Sequence, residues 1–576
     1  MKNKKRARWL LEMLKPAAPA FLGGFVAAFL GIAARTLFPQ MIRKTVDEAV
    51  LGASHSNLIR YVLAAGGIAL MQFLFSYLEG IGLILGGERF VKKLRDTLFS
   101  HFQVLPDKWH MEHPTGDIIQ RCTADVEVVR SFIAEQSTEL IMTVALILSY
   151  SFIMLTMEWK MALAALVYIP FVLAYSIRFY NRVSERYLAA DQAEGALSTI
   201  VQENLTGVRV VRAFGRERDE LVKFRRQNEE YTNTWVHLGA ILTRFWALGD
   251  TVSHLQLLSV LLLGIYLGTT GKLSIGTYIA FMSYTQQLSW PMRSLGRILS
   301  EMSKAGVSCD RIMEILAEEP EEEKASPLDT DLSGDIVFSH VTFGFEEKKI
   351  INDLSFTVEE GTTLGILGKT GSGKSTIVQL IYRLYDPWEG AISIGGVDLR
   401  DMKRETLRKG ISCVLQEPFL FSRSIKENIS ITNPDATMEE IQKAAADACL
   451  EDAIRHFPSG YSTVIGERGV TLSGGQRQRL AIARAFAAKV KIRIFDDALS
   501  AVDAKTDAEI RRHLGECPGT KIIIAHRAAT LMMADKILVL DKGRIAEYGS
   551  PSFLMGKKGK FYQIAMMQEG KKGGKP

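Results

Sequence analysis

Long uncharged apolar stretches alternate with charged segments over the first 300 residues. They lie at 17–34, 61–78, 140–157, 161–177, 251–270 and 273–292. A bilayer core about 30 Å thick needs about 20 apolar residues of helix, because in lipid every backbone amide must be satisfied within the segment. The pattern predicts six membrane-spanning helices. Buried helices of a soluble protein are the alternative, but almost no polar surface would remain to cover them.

The basic residues predict the orientation of these helices. Lys2, Lys4, Lys5, Arg6 and Arg8 precede the first stretch, whereas the third and fourth are joined only by the short segment 158–160. Because cytoplasmic flanks carry an excess of lysine and arginine, we expect a cytosolic N-terminus. The inner connections are then about 60 and 70 residues long, so the membrane helices should continue into the cytosol.

A few polar residues interrupt the apolar pattern. Gln286 and Gln287 fall inside the sixth stretch, where they are candidates either for a substrate cavity or for hydrogen bonds between helices. Glu79, His254 and Arg293 lie near the expected cytosolic ends, where we expect solvated or snorkelling side chains.

The pattern changes near residue 300. The acidic segment 318–324 is typical of a solvated linker, and beyond it short strand-like runs such as 363–367 and 521–525 alternate with helical segments. This alternation predicts an α/β domain with a mostly parallel sheet. The predicted parts of the chain are a membrane domain at 1–316, a linker at 317–333, an α/β domain at 334–570 and a basic tail at 571–576.

Composition changes this picture little. A chain of 576 residues is too long for one hydrophobic core, and a formal charge of +6 argues neither for nor against nucleic acid. The five cysteines stand far apart with no Cys-x-x-Cys pair, so neither a zinc site nor a disulfide framework is indicated. We expect them to be reduced and structural.

Candidate chemistry begins with a glycine-rich loop that follows the apolar run 363–367 and precedes a helical run. Its spacing is Gly-x4-Gly-Lys-Ser. Backbone amides of such a loop surround the β-phosphate of a nucleotide, the lysine reaches the β- and γ-phosphates, and the serine offers its hydroxyl to Mg²⁺. The candidate ATP-binding residues are Gly368, Lys369, Thr370, Gly371, Ser372, Gly373, Lys374, Ser375 and Thr376.

The segment Leu472 to Gln476 matches the signature sequence of the ATP-binding cassette (ABC) transporters, which the chain resembles over essentially its whole length. In that family two cassettes dimerise head to tail, and the signature of one covers the γ-phosphate of ATP held by the other. The resemblance implies that the cofactors are ATP and Mg²⁺. It also implies that the residues facing a partner's ATP are Ser473, Gly474, Gly475 and Gln476.

Other positions match the family one by one. Gln416 corresponds to the glutamine that senses Mg²⁺ and the membrane domain, and His526 to the histidine that contacts the γ-phosphate. Phe345 stands where the family usually has a tyrosine stacked on adenine, a core phenylalanine being the alternative. The segments 467–469 and 500–503 match loops that contact the membrane domain and communicate across the dimer, although 467–469 could also be a solvated turn.

The segment 494–497 ends an apolar strand in two aspartates. Asp496 matches the aspartate that holds Mg²⁺ through water, with Ser375 and Gln416 as the other candidate ligands. Asp497 stands where the family has the glutamate that positions the attacking water. Aspartate is one methylene shorter, and a displacement of about 1 Å can cost on the order of a hundredfold in rate. The catalytic candidates are Asp497, His526 and Gln416. We expect ATP bound to this chain's own loop to be hydrolysed slowly. The alternative is that Asp497 is a working base.

Arg493 is a second departure from the family pattern. It lies inside the same strand, where the family prefers an apolar side chain. Central parallel strands are buried on both faces, so an arginine without partners would be costly there. The sequence offers no explanation for it.

Two inner segments, 114–125 and 203–214, resemble intracellular loops of exporters in which six spans precede one cassette. In those proteins short helices lying across the cassette transmit its motion. Amphipathic surface helices are the alternative. The expected fold is therefore a membrane α-helical domain of exporter type with six transmembrane helices, followed by an α/β P-loop NTPase (ABC) domain.

The expected function is ATP-dependent export of a drug, lipid or peptide across the cytoplasmic membrane by alternating access. The short Asp497 beside an intact signature favours a heterodimer with a second half-transporter that has glutamate at the matching position. A homodimer with slow hydrolysis and an ATP-gated channel or sensor are the alternatives. The predicted spans exclude a soluble cassette protein acting on nucleic acid, so the expected partners are the bilayer, the second subunit and the substrate.

Overall fold

The computed structural model describes residues 9–50, 55–321, 323–324, 326–466, 469 and 471–570. They form two compact units. The first comprises Met1–Leu105 and Glu112–Pro320, and the second comprises Pro106–Met111 and Glu321–Pro576. The sequence did not predict that the short segment Pro106–Met111 belongs with the second unit.

The first unit is helical. Its elements are α1 Ala18–Val50, α2 His55–Phe102, α4 Thr115–Gln120, a π-helical turn Arg121–Asp125, α5 Val126–Ser131, a second π-helical turn Phe132–Gln136, α6 Ser137–Met157, α7 Trp159–Leu166, α8 Tyr168–Thr206, α9 Val208–Ala213, α10 Glu217–Thr269 and α11 Ile275–Ala317; helix α3, Asp107–Glu112, precedes α4 and lies mostly in the second unit. The two predicted inner segments, 114–125 and 203–214, are largely helical. Helices α2, α8 and α10 are each far longer than a bilayer requires.

Within the described residues, five helices are long and apolar enough to cross a membrane. The predicted sixth span lies on α11, which has 43 residues and is long enough, but falls short in apolarity. The reason is its polar content, which includes Gln286 and Gln287. A helix that lines a polar interior needs less apolar surface than one surrounded by lipid.

The structure distinguishes the two glutamines. The Tyr150 hydroxyl donates to Gln287 Oε1 at 2.8 Å, and Gln287 Nε2 donates to Ser283 Oγ at 3.0 Å, so Gln287 bridges two helices. Gln286 lines a cavity of about 300 Å³ beside Trp290. Only Gln286 therefore keeps its place as a cavity candidate.

The expectation for Arg293 is wrong. Its side chain is 12% exposed and forms an ion pair with Asp250 at 2.7 Å. The guanidinium also lies 5.7 Å from the ring centroid of Trp246. Packed between α10 and α11, the arginine forms an ion pair with an acid and a cation–π contact with an aromatic ring, neither of which it would have in solvent.

The second unit is built on two sheets. A six-stranded sheet has the order β10-β9-β3-β8-β7-β6, and a four-stranded sheet has the order β2-β1-β4-β5. The strands are β1 Ile336–Phe345, β2 Lys348–Val358, β3 Thr363–Gly368, β4 Glu389–Ile394, β5 Val397–Asp398, β6 Ile411–Val414, β7 Ile492–Asp496, β8 Thr520–Ile524, β9 Lys536–Asp541 and β10 Arg544–Gly549. In the larger sheet all neighbouring pairs are parallel except β9 with β10.

Helices and short 3-10 turns cover these sheets. They are α12 Lys374–Ile381, a 3-10 turn Leu399–Asp401, α13 Arg404–Lys409, α14 Ile425–Ile429, a 3-10 turn Ser430–Thr432, α15 Met438–Asp447, α16 Glu451–Arg455, a 3-10 turn Gly460–Ser462, α17 Gly474–Ala487, α18 Ala504–Glu516, α19 Ala528–Leu531, α20 Pro551–Lys557 and α21 Lys560–Gly570. Every residue of β3, β7 and β8 is buried, which explains why apolar residues make up most of these strands, although β7 also buries Arg493 and β8 also buries Lys521. The predicted fold class is confirmed.

The part of the acidic segment 318–324 that begins this unit is not simply solvated. Glu321 is 15% exposed and accepts two hydrogen bonds from Arg408, each 2.8 Å long. Lys324 also pairs with Asp401. Bidentate arginine–carboxylate contacts fix orientation as well as neutralising charge. The expectation of a freely solvated linker is therefore wrong for these residues.

Candidate nucleotide-binding site

The candidate site lies at the carboxyl edge of the larger sheet. Because β3, β6, β7 and β8 run parallel, their carboxyl ends meet at one edge. The glycine-rich loop follows β3, Gln416 follows β6 and His526 follows β8. Asp496 is the last residue of β7, and Asp497 comes directly after it. Tertiary structure thus places side by side groups that are up to 158 residues apart in the chain (from 368 to 526).

The loop between β3 and α12 adopts a conformation that depends on glycine. Gly371 and Gly373 have φ of 79° and 100°, a region that residues with a Cβ rarely occupy. Lys374 Nζ donates to the carbonyl oxygens of Gly368 and Lys369 at 2.9 and 3.1 Å. The lysine side chain therefore lies along the loop at the start of α12. The free backbone amides at the N-terminus of that helix point toward the same loop.

These residues fit ATP and Mg²⁺. The buried Ser372 Oγ has no hydrogen-bond partner among the described residues, so a polar group of the loop is left for a ligand. Ser375, Gln416 and Asp496 supply the hard oxygen donors that Mg²⁺ prefers. When bound, the ion would supply positive charge against the phosphate oxygens.

Asp496 is the most buried acid of the site, at 6% exposure. Burial raises the pKa of its carboxyl, whereas the Ser375 hydroxyl and the positive charge of Lys374 lower it. Burial also lowers the pKa of Lys374, opposed by the charges of Asp496 and Asp497. In both groups desolvation outweighs the mutual attraction, so a cation beside Asp496 and an anionic phosphate beside Lys374 would each favour the charged form of the residue.

Asp497 has an unusual backbone. Its φ is 48°, its amide donates to the Ile524 carbonyl at 3.0 Å, and its own carbonyl accepts from the Ser500 amide at 3.3 Å. Aspartate and asparagine tolerate this left-handed region better than most residues with a side chain. The sequence analysis treated Asp497 as a shortened glutamate. The structure adds that an aspartate is compatible with the left-handed backbone of this turn.

Asp497 and His526 line one small cavity of about 120 Å³, together with Ser500. The histidine side chain is exposed, and its backbone carbonyl accepts from Gln568 Nε2 at 2.8 Å. A cavity of this size can hold a few water molecules next to the carboxylate. The predicted acid and histidine are therefore brought together, whereas Gln416 lies exposed at the end of the neighbouring strand β6.

Phe345 ends β1 with 39% of its side chain exposed, so it is not a core residue. Its ring meets the Tyr385 ring edge-on, with a centroid distance of 5.2 Å. The ring of Phe343 also contacts the Phe345 ring edge-on at 5.3 Å, and adenine stacking on the exposed part of the ring stays a prediction. Of the loop predicted at 467–469, Glu467 and Arg468 lie outside the described residues.

The signature residues form the N-terminus of α17. Ser473 Oγ accepts from the Gln476 amide at 3.3 Å, and Gln476 Oε1 accepts from the Ser473 amide at 2.9 Å. This capping box satisfies two amides that the helix itself leaves free. Ser473 and Gly474 remain exposed, as a surface that contacts another molecule requires.

Gln478 is a functional candidate that the sequence did not reveal. It is 5% exposed, donates to Ser500 Oγ at 3.1 Å and accepts from the Ala501 amide at 2.9 Å. It thus joins the signature helix to the loop that follows Asp497. Its position two residues after the signature was the only available signal in the sequence.

Arg493 now has a physical explanation. It is 6% exposed and donates to four backbone carbonyl oxygens, those of Ala485 at 3.3 Å, Ala488 at 2.8 Å, Val490 at 3.2 Å and Pro518 at 2.7 Å. Carbonyls at the end of a helix carry partial negative charge. Burial lowers the pKa of the guanidinium. Arg493 therefore ties the C-terminal end of α17 to β7.

Replacing Arg493 with leucine should destabilise the second unit by about 3 kcal/mol, because buried carbonyls would lose their donors. We expect the thermal unfolding midpoint of the purified chain to fall by roughly 5–10 °C. The control is Arg512→Leu, at an exposed arginine of α18 that pairs with Glu516 at 3.1 Å. An equal shift in both variants would contradict the capping role.

The segment Pro106–Met111 belongs to this unit through specific contacts. The Tyr385 hydroxyl donates to Asp107 Oδ2 at 2.8 Å, and Trp109 is 6% exposed. The segment follows α2, which ends at Phe102, so it is covalently continuous with a membrane helix. The sequence analysis considered the segment 114–125 and did not single out 106–111.

Replacing Asp107 with alanine should loosen this segment. A hydrogen bond to a charged group contributes about 1.5–3 kcal/mol, so its amides should exchange with solvent on the order of tenfold faster or more. Hydrogen exchange of the intact chain measures this directly. Asp96→Ala, at a solvent-exposed acid of α2, is the matched control and should leave peptides covering 106–111 unchanged.

Fold and site together define a membrane-embedded ATPase with a helical membrane domain and one P-loop domain. Comparison with protein families agrees. The model of the ABC transporter transmembrane region matches residues 21–292, and the ABC transporter model matches residues 351–500.

Individual relatives cover nearly the whole chain. A probable multidrug resistance ABC transporter ATP-binding/permease protein of Bacillus subtilis (strain 168), YheI, is 35% identical, with 90% of each chain covered. An ATP-dependent lipid A-core flippase of Legionella pneumophila (strain Philadelphia 1) is 31% identical, covering 99% of this chain and 97% of the flippase. A bacterial Atm1-family ABC exporter solved with ATP bound is 26% identical, with a TM-score of 0.82 over 96% of this chain and 98% of that one.

The chain therefore belongs to the ABC transporter family, as an exporter-type member in which a membrane domain is fused to an ATPase domain. It is a multi-pass membrane protein whose ATPase domain is coupled to transport.

Proposed function

We propose that this chain is one half of a heterodimeric exporter that moves a small or amphipathic substrate across the cytoplasmic membrane. Its N-terminus and ABC domain lie in the cytosol. The B. subtilis relative is named for multidrug resistance and the Legionella relative for lipid A-core, which supports drugs and lipids as candidate substrates. A peptide is the third candidate.

The observation that carries the heterodimer is the contrast between the two halves of the ATP machinery. Asp497 offers a short carboxylate, whereas the signature at Ser473 is capped and exposed. Such a chain can complete a partner's site while hydrolysing its own ATP slowly. In the partner we expect a glutamate at the position that matches Asp497.

The left-handed φ of 48° at Asp497 favours a second candidate, a homodimer with slow hydrolysis. Aspartate would then be present because the turn accepts it, and both sites would be alike. The two proposals differ in what the chain assembles with and in how fast it works alone.

The test is to express a tagged copy of this chain with an untagged half-transporter from the neighbouring reading frame and to purify through the tag. We expect equal amounts of the two chains and ATP hydrolysis well above that of this chain alone. Recovery of two copies of this chain, with full activity, would support the homodimer. Ion conductance without substrate movement in proteoliposomes would instead support a gated channel.

A further inference from the structure

Two helices of the membrane domain each carry one isolated charge. Arg35 is the only charged residue of α1 between Lys15 and Arg43, and Glu79 is the only one of α2 between Arg60 and Glu88. Ionisable groups in such positions are costly to keep in a membrane unless they serve a purpose.

Both charges line the same cavity of about 310 Å³, enclosed by α1, α2, α6 and α11. Its apolar wall includes Ile32, Met142 and Leu146, and Trp290 stands at its edge. A volume of this size accommodates a compact head group or a fragment of a larger ligand.

The other acids of the cavity have partners. Glu135 pairs with Arg130 at 3.0 Å, and Glu139 pairs with Arg297 at 2.8 Å. Arg130 also pairs with Glu127, and Arg297 also pairs with Glu301, so both wall acids belong to ion-pair networks that do not include Arg35 or Glu79.

Arg35 and Glu79 are different. Neither side chain forms a hydrogen bond or an ion pair with any other residue in the described part of the chain, although the two lie within electrostatic range of each other. A guanidinium offers five donors and a carboxylate two acceptor oxygens, so both keep their hydrogen-bonding capacity for a ligand.

We propose that this cavity binds the head of a zwitterionic amphiphile, with its anionic group on Arg35 and its ammonium group on Glu79. That the ligand is the exported substrate rests on the proposed function, whereas the binding itself does not.

Charge balance selects the zwitterion. A singly positive ligand on Glu79 would leave Arg35 uncompensated, and a singly negative ligand on Arg35 would leave Glu79 uncompensated. An unpaired charge is costly in a medium of low polarity, so only a ligand that carries both signs satisfies the two residues together.

The apolar part of the ligand has a surface at the edge of the cavity. Trp290 is 62% exposed, and its ring stacks on that of Trp246 with a centroid distance of 5.8 Å. A flat indole pair beside a charged cavity suits a molecule with an apolar body and a polar head. The head could come from a membrane phospholipid or from a water-soluble zwitterion.

The test is a binding titration of the purified full chain in an uncharged maltoside detergent. The probes are dihexanoyl phosphatidylethanolamine as the zwitterion, dihexanoyl phosphatidylglycerol as the anion and decyltrimethylammonium as the cation. We expect the zwitterion to bind at least tenfold more tightly than either singly charged probe. The absence of this preference in the wild-type chain would overturn the proposal.

Neutral variants sharpen the test. Glu79→Gln should weaken zwitterion binding about tenfold or more and make the anion the preferred singly charged probe, because Arg35 would then act alone. Arg35→Gln should do the reverse and favour the cation. The matched controls, Glu88→Gln on α2 and Arg43→Gln on α1, lie outside the cavity and should bind as the wild type does. If the cavity variants keep wild-type preferences, Arg35 and Glu79 do not bind the head.

Glycerophosphoethanolamine, the same head without acyl chains, distinguishes the two sources. Binding as tight as that of the lipid points to a water-soluble zwitterion, and binding at least tenfold weaker points to a phospholipid. These titrations contain no ATP and need no second subunit. A chain that binds the zwitterion but transports nothing would count against the proposed function and leave this site intact.

Discussion

Replacing Asp497 with glutamate should raise ATP hydrolysis at this chain's own site by on the order of a hundredfold, because a displacement of about 1 Å at a water-positioning group costs about that much. Phosphoryl transfer depends mainly on positioning and electrostatics, so the length of this side chain matters more than its charge. The turn with φ of 48° should accept glutamate at a small cost in stability.

Single-turnover hydrolysis on the purified assembly, with the partner's site silenced, measures this rate. Asp452→Glu is the matched control, since it makes the same exchange at an exposed acid of α16 in the same domain. Asp497→Asn should lower whatever activity the wild type retains. A wild-type chain that hydrolyses ATP quickly by itself, with no gain from the glutamate, would show that Asp497 is a working base.

Replacing Ser473 with alanine should reduce hydrolysis at the partner's site by on the order of a hundredfold, and much less at this chain's own site. The expected cause is the loss of a donor to the γ-phosphate, and the removal of one such pre-positioned donor typically costs 10²-fold or more. The effect should appear in the rate of the partner's site because the signature serves the opposite ATP.

Ser473 also caps α17, so the cap and the phosphate contact must be separated. Ser550 caps α20 in the same way, accepting from the Phe553 amide at 3.3 Å. Ser550→Ala should cost about 1 kcal/mol of stability and leave the rate nearly unchanged. If both variants lowered hydrolysis equally, Ser473 would act through stability alone.

Local sequence was sufficient for much of the site. The glycine-rich loop and the strand that ends in Asp496 were predictable because each depends on a short run of residues with a fixed local geometry, whereas the signature was predicted through the resemblance to the family. Phe345 and His526 were predicted only through resemblance, since a single aromatic residue or histidine carries no local signal.

Other features depend on residues that are distant in the chain. Three of the four carbonyls that accept from Arg493 belong to the end of α17 and the connection after it, and the fourth belongs to the connection before β8, so the sequence showed only an arginine in a strand. Gln478 and Asp107 were missed for the same reason, because their partners Ser500 and Tyr385 lie 22 and 278 residues away. Arg293 was taken for a solvated residue because its acid is on another helix.

The sequence by itself determined the class of the protein. Membrane spans follow from the length of apolar runs, and ATP binding follows from a loop of nine residues, 368–376, whose backbone geometry depends on its glycines. Tertiary structure decided which charges are satisfied and which are free. It gave Glu135 and Glu139 each an arginine partner, left Arg35 and Glu79 facing one cavity, and set Asp497 in a left-handed turn. The reason is that packing brings together groups whose distance in space is not determined by the order of residues in the chain.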